Sequence, residues 1–263
     1  MEKIKFFDCN ARIGVSNSPL VYGADTADEL LETMDYFGID RAVVYHIEAV
    51  FSPVKGNEML IKEIEKKPRL TGCAVLTPSY GGEYGDIAEY FKFLYSSGIR
   101  AVRLFPAANN YRPVPLYTDT IINEAQKHKM PVIIDEIDVY HPGLPVSTWT
   151  YSPSYEDIYE LSAAYPAVNF IIISPGMQTQ RKQNAIMRKC GNVFLECSGY
   201  GYKNIEHVCE NNFCNYVYGS GFPVLDPGTP MSAVLYADIP DAAKKRIAYE
   251  NLAEIIDGEA RDE

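Results

Sequence analysis

Long apolar runs are missing from this chain. No uninterrupted apolar stretch reaches the roughly 20 residues that a membrane-spanning helix needs, so no membrane role is expected. Basic residues are also scarce: 24 Lys and Arg stand against 35 Asp and Glu, a net charge of -11, and no long basic run occurs. Nucleic acid and anionic membranes are therefore disfavoured partners, while a local basic pocket for a small anion remains compatible. No signal-peptide core precedes the first strand pattern at Met1-Glu2-Lys3-Ile4-Lys5, which leads to the expectation of a cytoplasmic protein with reduced thiols. Of the six cysteines, Cys190, Cys197, Cys209 and Cys214 cluster in sequence, but their spacing fits no common zinc pattern. No Gly-x-Gly-x-x-Gly turn follows the first strand, which removes the main signal for a dinucleotide fold. No cofactor is expected.

What is present is an alternation of strands and helices. The 263 residues, 47% apolar, are enough for a sizeable core. Eight strands are predicted at Ile4–Phe7, Ala42–Ile47, Leu70–Thr77, Ala101–Phe105, Val132–Ile137, Phe170–Ser174, Val193–Cys197 and Tyr216–Gly219. Runs such as Ile171-Ile172-Ile173 are continuously apolar, as strands covered by helices require. Thr26-Ala27-Asp28-Glu29 reads as a capping box, Gly38, Gly98 and Gly191 as helix stops, and Ser152-Pro153 as another helix start. The last helix is predicted to begin at Pro240 and end near Gly258. Phe37-Gly38-Ile39-Asp40-Arg41-Ala42 echoes Ser97-Gly98-Ile99-Arg100-Ala101, which fits repeated αβ units. Eight such units close into a barrel or wind into an open sheet. The count of eight, together with the family resemblance set out below, favours a single (β/α)8 TIM barrel spanning residues 1–263.

Catalytic groups in such a barrel sit at the C-terminal strand ends. Those ends offer Asn10 and Arg12, His46 and Glu48, Thr77, Arg103 and Phe105, Asp135, Glu136 and Asp138, Ser174, Glu196 and Ser198, and Ser220. Two segments are distinctive: Asp8-Cys9-Asn10-Ala11-Arg12 after the first apolar run, and Tyr218-Gly219-Ser220-Gly221-Phe222-Pro223 after the last. Together with Ile134-Asp135, Ile173-Ser174-Pro175-Gly176 and Tyr249-Glu250-Asn251-Leu252-Ala253, they resemble the amidohydrolase-related TIM-barrel hydrolases and decarboxylases, aminocarboxymuconate-semialdehyde decarboxylase among them. That family opens with Asp-x-His-x-His and ends with Gly-Ser-Asp-Phe-Pro. The resemblance implies C–N, C–O or C–C cleavage, and a metal centre. Here Asn10, Arg12, Asp135, Ser174 and Gly221 stand at the ligand positions. Arginine repels a cation at close range and one carboxylate does not hold a divalent ion by itself. No metal site is therefore expected.

Two arginines, Arg12 and Arg103, remain to clamp an anion bidentately. Asp135 or Glu196 is the candidate base, and His141 or His46 the candidate acid. A plainer reading pairs Arg12 with Asp135 as a salt bridge filling the place of the metal. His46 is equally readable as a satisfied, half-buried histidine. Ser174 and Ser220 sit in no nucleophile elbow and are read as binding residues with Asn10. Trp149, the only tryptophan, joins them as a wall of the mouth, among twenty tyrosines. Such aromatics suit either a ligand lid or a homo-oligomer contact. The expected function is a metal-independent hydrolase or decarboxylase for a small carboxylate-bearing substrate. A silent barrel binding a small anion or a protein is one alternative. A metal hydrolase with rearranged ligands is another, for instance with Cys9, Asp135 and Glu196.

Overall fold

The computed structural model describes residues 3–15, 25–78, 82–135, 154–173, 185, 188–210 and 215–258. Eight parallel strands follow one another in sequence order: β1 Phe7–Ile13, β2 Arg41–His46, β3 Leu70–Val75, β4 Ile99–Leu104, β5 Val132–Asp135, β6 Phe170–Ile173, β7 Val193–Glu196 and β8 Tyr216–Val217. Cys9 N–H donates to Tyr218 C=O at 3.0 Å and Arg12 N–H to Phe222 C=O at 3.2 Å, which bring the last strand back against the first. The result is a (β/α)8 barrel.

Alternate residues of each strand serve two apolar layers. Val43, Cys73, Val75, Ala101, Ile133, Ile171, Phe194 and Val217 fill the barrel interior. Their neighbours Val44, Ala74, Val102, Ile134, Ile172 and Leu195 pack outward against Leu30, Leu60, Phe91 and Ile122 of the helices. Helix α1 (Ala27–Phe37) shows how local sequence sets these elements. Thr26 and Glu29 cap it reciprocally, and Gly38 ends it at φ 75°.

β1 begins where the predicted strand ends. The predicted span Ile4–Phe7 is corrected to Phe7–Ile13. Asp8, Asn10 and Arg12 look like a polar strand end, but all three are buried inside the strand. The register explains their direction. Asp8 faces Ala42 and Ala11 faces Val44, so β1 carries one extra residue there. Before the bulge Phe7 and Cys9 belong to the interior cluster, and after it Ala11 and Ile13 belong to the outer one. Asn10 and Arg12 are thereby turned inward.

The helix start predicted at Ser152-Pro153 lies outside the described residues. The cap in the structure is Ser154, which with Asp157 forms the capping box of Tyr155–Ala164. The closing helix begins at Asp241, passes through a π-turn at Arg246–Glu250, and stops at Gly258, φ 69°. The π-turn leaves Ile247 C=O to accept from Tyr218 N–H at 2.9 Å, and Asn251 Nδ2 donates to Tyr216 C=O at 2.8 Å. Leu252, Ile255 and Ile256 then plug the N-terminal end of the barrel. The polar groups collect at the opposite end.

Candidate functional site

Arg103, at the end of β4, is the centre of that polar end. It is 1% exposed. Its Nε donates to Asp135 Oδ2 at 2.7 Å and its Nη2 to Asp135 Oδ1 at 2.8 Å, a bidentate pair across β4 and β5. Nη2 also donates to Asn10 Oδ1 at 3.0 Å. The guanidinium lies 4.4 Å from the centre of the Tyr45 ring and 5.1 Å from that of Phe105. Burial works against its charge, but Asp135 and Tyr45 more than offset this and hold its pKa above the ordinary value. Asp135 is therefore bridged to Arg103. Arg12 is buried on the same inner face of β1.

A second carboxyl cluster joins β1, β7 and β8. Asp8 Oδ1 accepts from Asn10 N–H and Ser220 N–H, each at 2.8 Å, and its Oδ2 accepts from Ser220 Oγ. Ser220 Oγ in turn accepts from Phe222 N–H at 3.0 Å. Ser220 thus staples the barrel seam. Glu196 is fully buried, accepting from Ser198 N–H at 2.6 Å on Oε1 and bonding Ser198 Oγ at 2.9 Å through Oε2. It fits only because residue 219 is glycine: a Cβ there would lie 2.3 Å from Glu196 Oε1.

Burial pushes the Glu196 pKa up to about 8, against the two Ser198 hydrogen bonds and with the help of Asp8. At neutral pH it is a carboxylic acid. Burial also raises the Asp8 pKa, and raises that of the neighbouring Cys9 thiol well above its usual range.

His46 ends β2. Its Nδ1 accepts from Glu48 N–H at 3.1 Å, so the ring proton sits on Nε2, beside Gly14. Burial lowers its pKa, leaving a neutral imidazole. His46 is thus buried with its Nδ1 engaged by the backbone. His141, Trp149 and Ser174 lie outside the described residues.

Sequence reasoning gave no role to Asp8 or Gly219, though both lie in the two distinctive segments, and none to Tyr45. The first had a readable signal, since Asp8 and Glu196 each accept from the N–H two residues on, a habit of short acidic side chains. Tyr111, after β4, has a buried hydroxyl with no hydrogen-bond partner among the described residues. Burial, then Tyr84 and Asp135, hold its pKa well above the ordinary range. It also lines a cleft of about 510 Å³ with Thr77, Pro78, Asn109, Arg112 and Tyr117, a size suited to a small ligand. A hollow of about 520 Å³ beside Cys190, Asn192 and Glu254 lies at the start of β7, away from the strand ends where this fold carries chemistry.

The residues at the ligand positions do not fit a divalent metal. Both Asp135 oxygens accept from Arg103, and a guanidinium sits beside them. Gly221 supplies no donor, and a Cβ there would lie 2.9 Å from Leu225 Cδ1. Among the described residues no three His, Cys, Asp or Glu are grouped to hold an ion.

Comparison with known proteins sets this geometry in context. No curated protein matches. An uncharacterised TIM-barrel protein of Bordetella bronchiseptica superposes with a TM-score of 0.74 at 12% identity, covering 97% of this chain and 99% of that one. 2,6-Dihydroxybenzoate decarboxylase from Rhizobium gives a TM-score of 0.67 at 14% identity, covering 99% and 100%. A dihydroxybenzoic acid decarboxylase from Polaromonas sp. JS666, solved with bound manganese and the inhibitor 2-nitroresorcinol, gives 0.71 at 13% identity, covering 99% of each chain. These likenesses establish the fold. A family model for the amidohydrolases matches residues 14–256, nearly the whole chain, and the chain belongs to that family.

Proposed function

We propose that this chain is a carboxy-lyase or hydrolase for a small carboxylate-bearing substrate, working at the C-terminal end of the barrel without a bound metal. The observation that carries the reading is the buried Arg103–Asp135 bridge, with Asn10 attached, at the ligand positions of the family. A guanidinium held against two rings supplies permanent positive charge at this end of the barrel, whereas the Polaromonas decarboxylase was solved with bound manganese.

The acid–base groups favour the carboxy-lyase branch. Hydrolysis needs a base for water, and Asp135 is engaged by Arg103 through both oxygens. Loss of carbon dioxide needs an acid instead: the C–C electron pair stays on the substrate carbon and takes up a proton. Glu196, with its pKa pushed up to about 8, holds such a proton at neutral pH. His46, neutral with its proton on Nε2, is a hydrogen-bond donor to an oxygen. Ser220 acts through Asp8 to hold the seam.

The same bridge favours a second reading, a barrel that binds a small anion and performs no chemistry. One experiment separates these readings. Purified protein is assayed for carbon dioxide release from a panel of aliphatic and aromatic carboxylates, before and after exhaustive chelation, beside Glu196→Gln. Release that survives chelation and fails in the variant supports the lyase. Release that requires added manganese overturns the metal-free reading. Carboxylate binding without turnover of any compound favours the silent barrel.

A further inference from the structure

A guanidinium carries five N–H donors in one fixed plane. Three of those on Arg103 are engaged inside the barrel: Nε and one hydrogen of Nη2 on Asp135, and the other hydrogen of Nη2 on Asn10 Oδ1. The two on Nη1 have no hydrogen-bond partner among the described residues. Nη1 is also absent from the fully buried atoms in that condition, so a small molecule can reach it. Asn10 decides how. A carboxylate that grips a guanidinium with both oxygens needs two parallel N–H groups on one edge. The edge of Nε and Nη2 holds Asp135. The edge of Nη1 and Nη2 would serve, but Asn10 Oδ1 takes its Nη2 side at 3.0 Å. Asn10 holds that place at a cost. Since Nη2 is a donor, the atom facing it is the acceptor Oδ1, and Nδ2 is directed away. Asn10 is 4% exposed, and Nδ2 is a buried donor with no hydrogen-bond partner among the described residues. Such an atom is destabilising, and in native structures it calls for an explanation.

We infer that Asn10 is a specificity-determining residue that restricts the ligand carboxylate to a single oxygen on Arg103 Nη1. The inference rests on the reading of this barrel end as a carboxylate site with Arg103 as its cation. The restriction has a chemical logic. Gripped by both oxygens, a carboxylate is fixed in the plane of the guanidinium and held most tightly before it reacts. Loss of carbon dioxide moves charge off the carboxyl group, so that grip stabilises the ground state more than the transition state and slows the step. One oxygen on one nitrogen leaves the carboxyl free to turn about the bond that breaks, and to reach the orientation in which that bond's electron pair passes to the substrate carbon.

Benzoate, whose carboxylate can bind either way, tests it. Affinity is measured by calorimetry on wild type, Asn10→Ala and Asn10→Leu, with near-ultraviolet circular dichroism to verify folding. Alanine clears the Nη1–Nη2 edge, whereas leucine removes the amide and keeps the edge covered. Asn10→Ala is expected to bind benzoate about tenfold more tightly than wild type, because the ligand gains a charge-assisted hydrogen bond. Asn10→Leu is expected to show no gain. A merely structural Asn10 would give weaker binding in the alanine variant. In wild type labelled with 15N-arginine, benzoate should shift one Nη signal of Arg103 and leave Nε in place, a readout that needs no variant to fold. Affinity unchanged or reduced in Asn10→Ala, an equal gain in Asn10→Leu, or an equal shift of both Nη signals overturns this inference and leaves the carboxylate site standing. Absence of binding of benzoate, acetate and oxalate to wild type and both variants overturns both.

Discussion

Glu196→Gln should flatten the pH dependence of stability. The folded carboxyl has its pKa pushed up to about 8, against an ordinary value of 4.5. Folded protein therefore keeps a proton that unfolded chain releases as pH rises above 4.5. The sign follows: the contribution is whole below 4.5, declines as pH rises, and is lost by about 8. The slope is at most about 1.4 kcal/mol per pH unit. Between pH 5.5 and 7.5 this one group withdraws roughly 2–3 kcal/mol, or several degrees of melting temperature in a chain of this length. Glutamine is the neutral isostere. Its Oε1 still accepts from Ser198 N–H, and its Nε2 donates to Ser198 Oγ once that hydroxyl turns. Urea unfolding of both proteins at pH 5.5, 6.5 and 7.5 gives the comparison, because every other titrating group cancels in the difference. The variant should lose less stability than wild type at each step. Parallel lines would show that Glu196 ionises normally and would remove it as a proton donor.

The ion pair gives a sharper mutational signature. Arg103→Met or Asp135→Asn each removes one side of a bridge that is 1% exposed on both sides, and each should cost about 3–5 kcal/mol in urea unfolding. The double replacement Arg103→Met with Asp135→Leu should cost less than the two singles combined, and simple additivity would argue against a closed pair. Gly219→Ala should displace the Glu196 carboxyl, costing about 1–3 kcal/mol by overpacking and reducing any carbon dioxide release; Gly191→Ala, where nothing crowds the added Cβ, serves as the control. The His46 ring should titrate below the ordinary 6.5 in a proton NMR series, and a midpoint above it would contradict its burial.

Much of the barrel was legible because strand and helix periods differ, and because capping residues such as Thr26, Glu29 and Gly38 act locally. The boundary of β1 was not. A polar residue inside a strand looks the same in sequence as one at its end, and only burial by β8 and β4 distinguishes them. Partner choice was equally hidden. The expected salt bridge to Asp135 was drawn from Arg12, while the bidentate partner that the structure supplies is Arg103. Both are arginines at strand ends, and pairing across neighbouring strands depends on register, which residue types do not encode. The proposed acid shifted from the histidines to Glu196 for a related reason. Burial sets its proton affinity, and Gly219 on the next strand makes the room.

The surplus residue in the first strand acts as a clutch for this chemistry. Delete one position between Asp8 and Ala11 and both flanking registers would survive, Asp8 against Ala42 and Ala11 against Val44, but the single residue left between them would have to serve where Cys9 and Asn10 now both stand, so either the thiol or the amide would be lost. Any redesign of this barrel, or any residue-by-residue transfer from a relative, has to carry that single count intact.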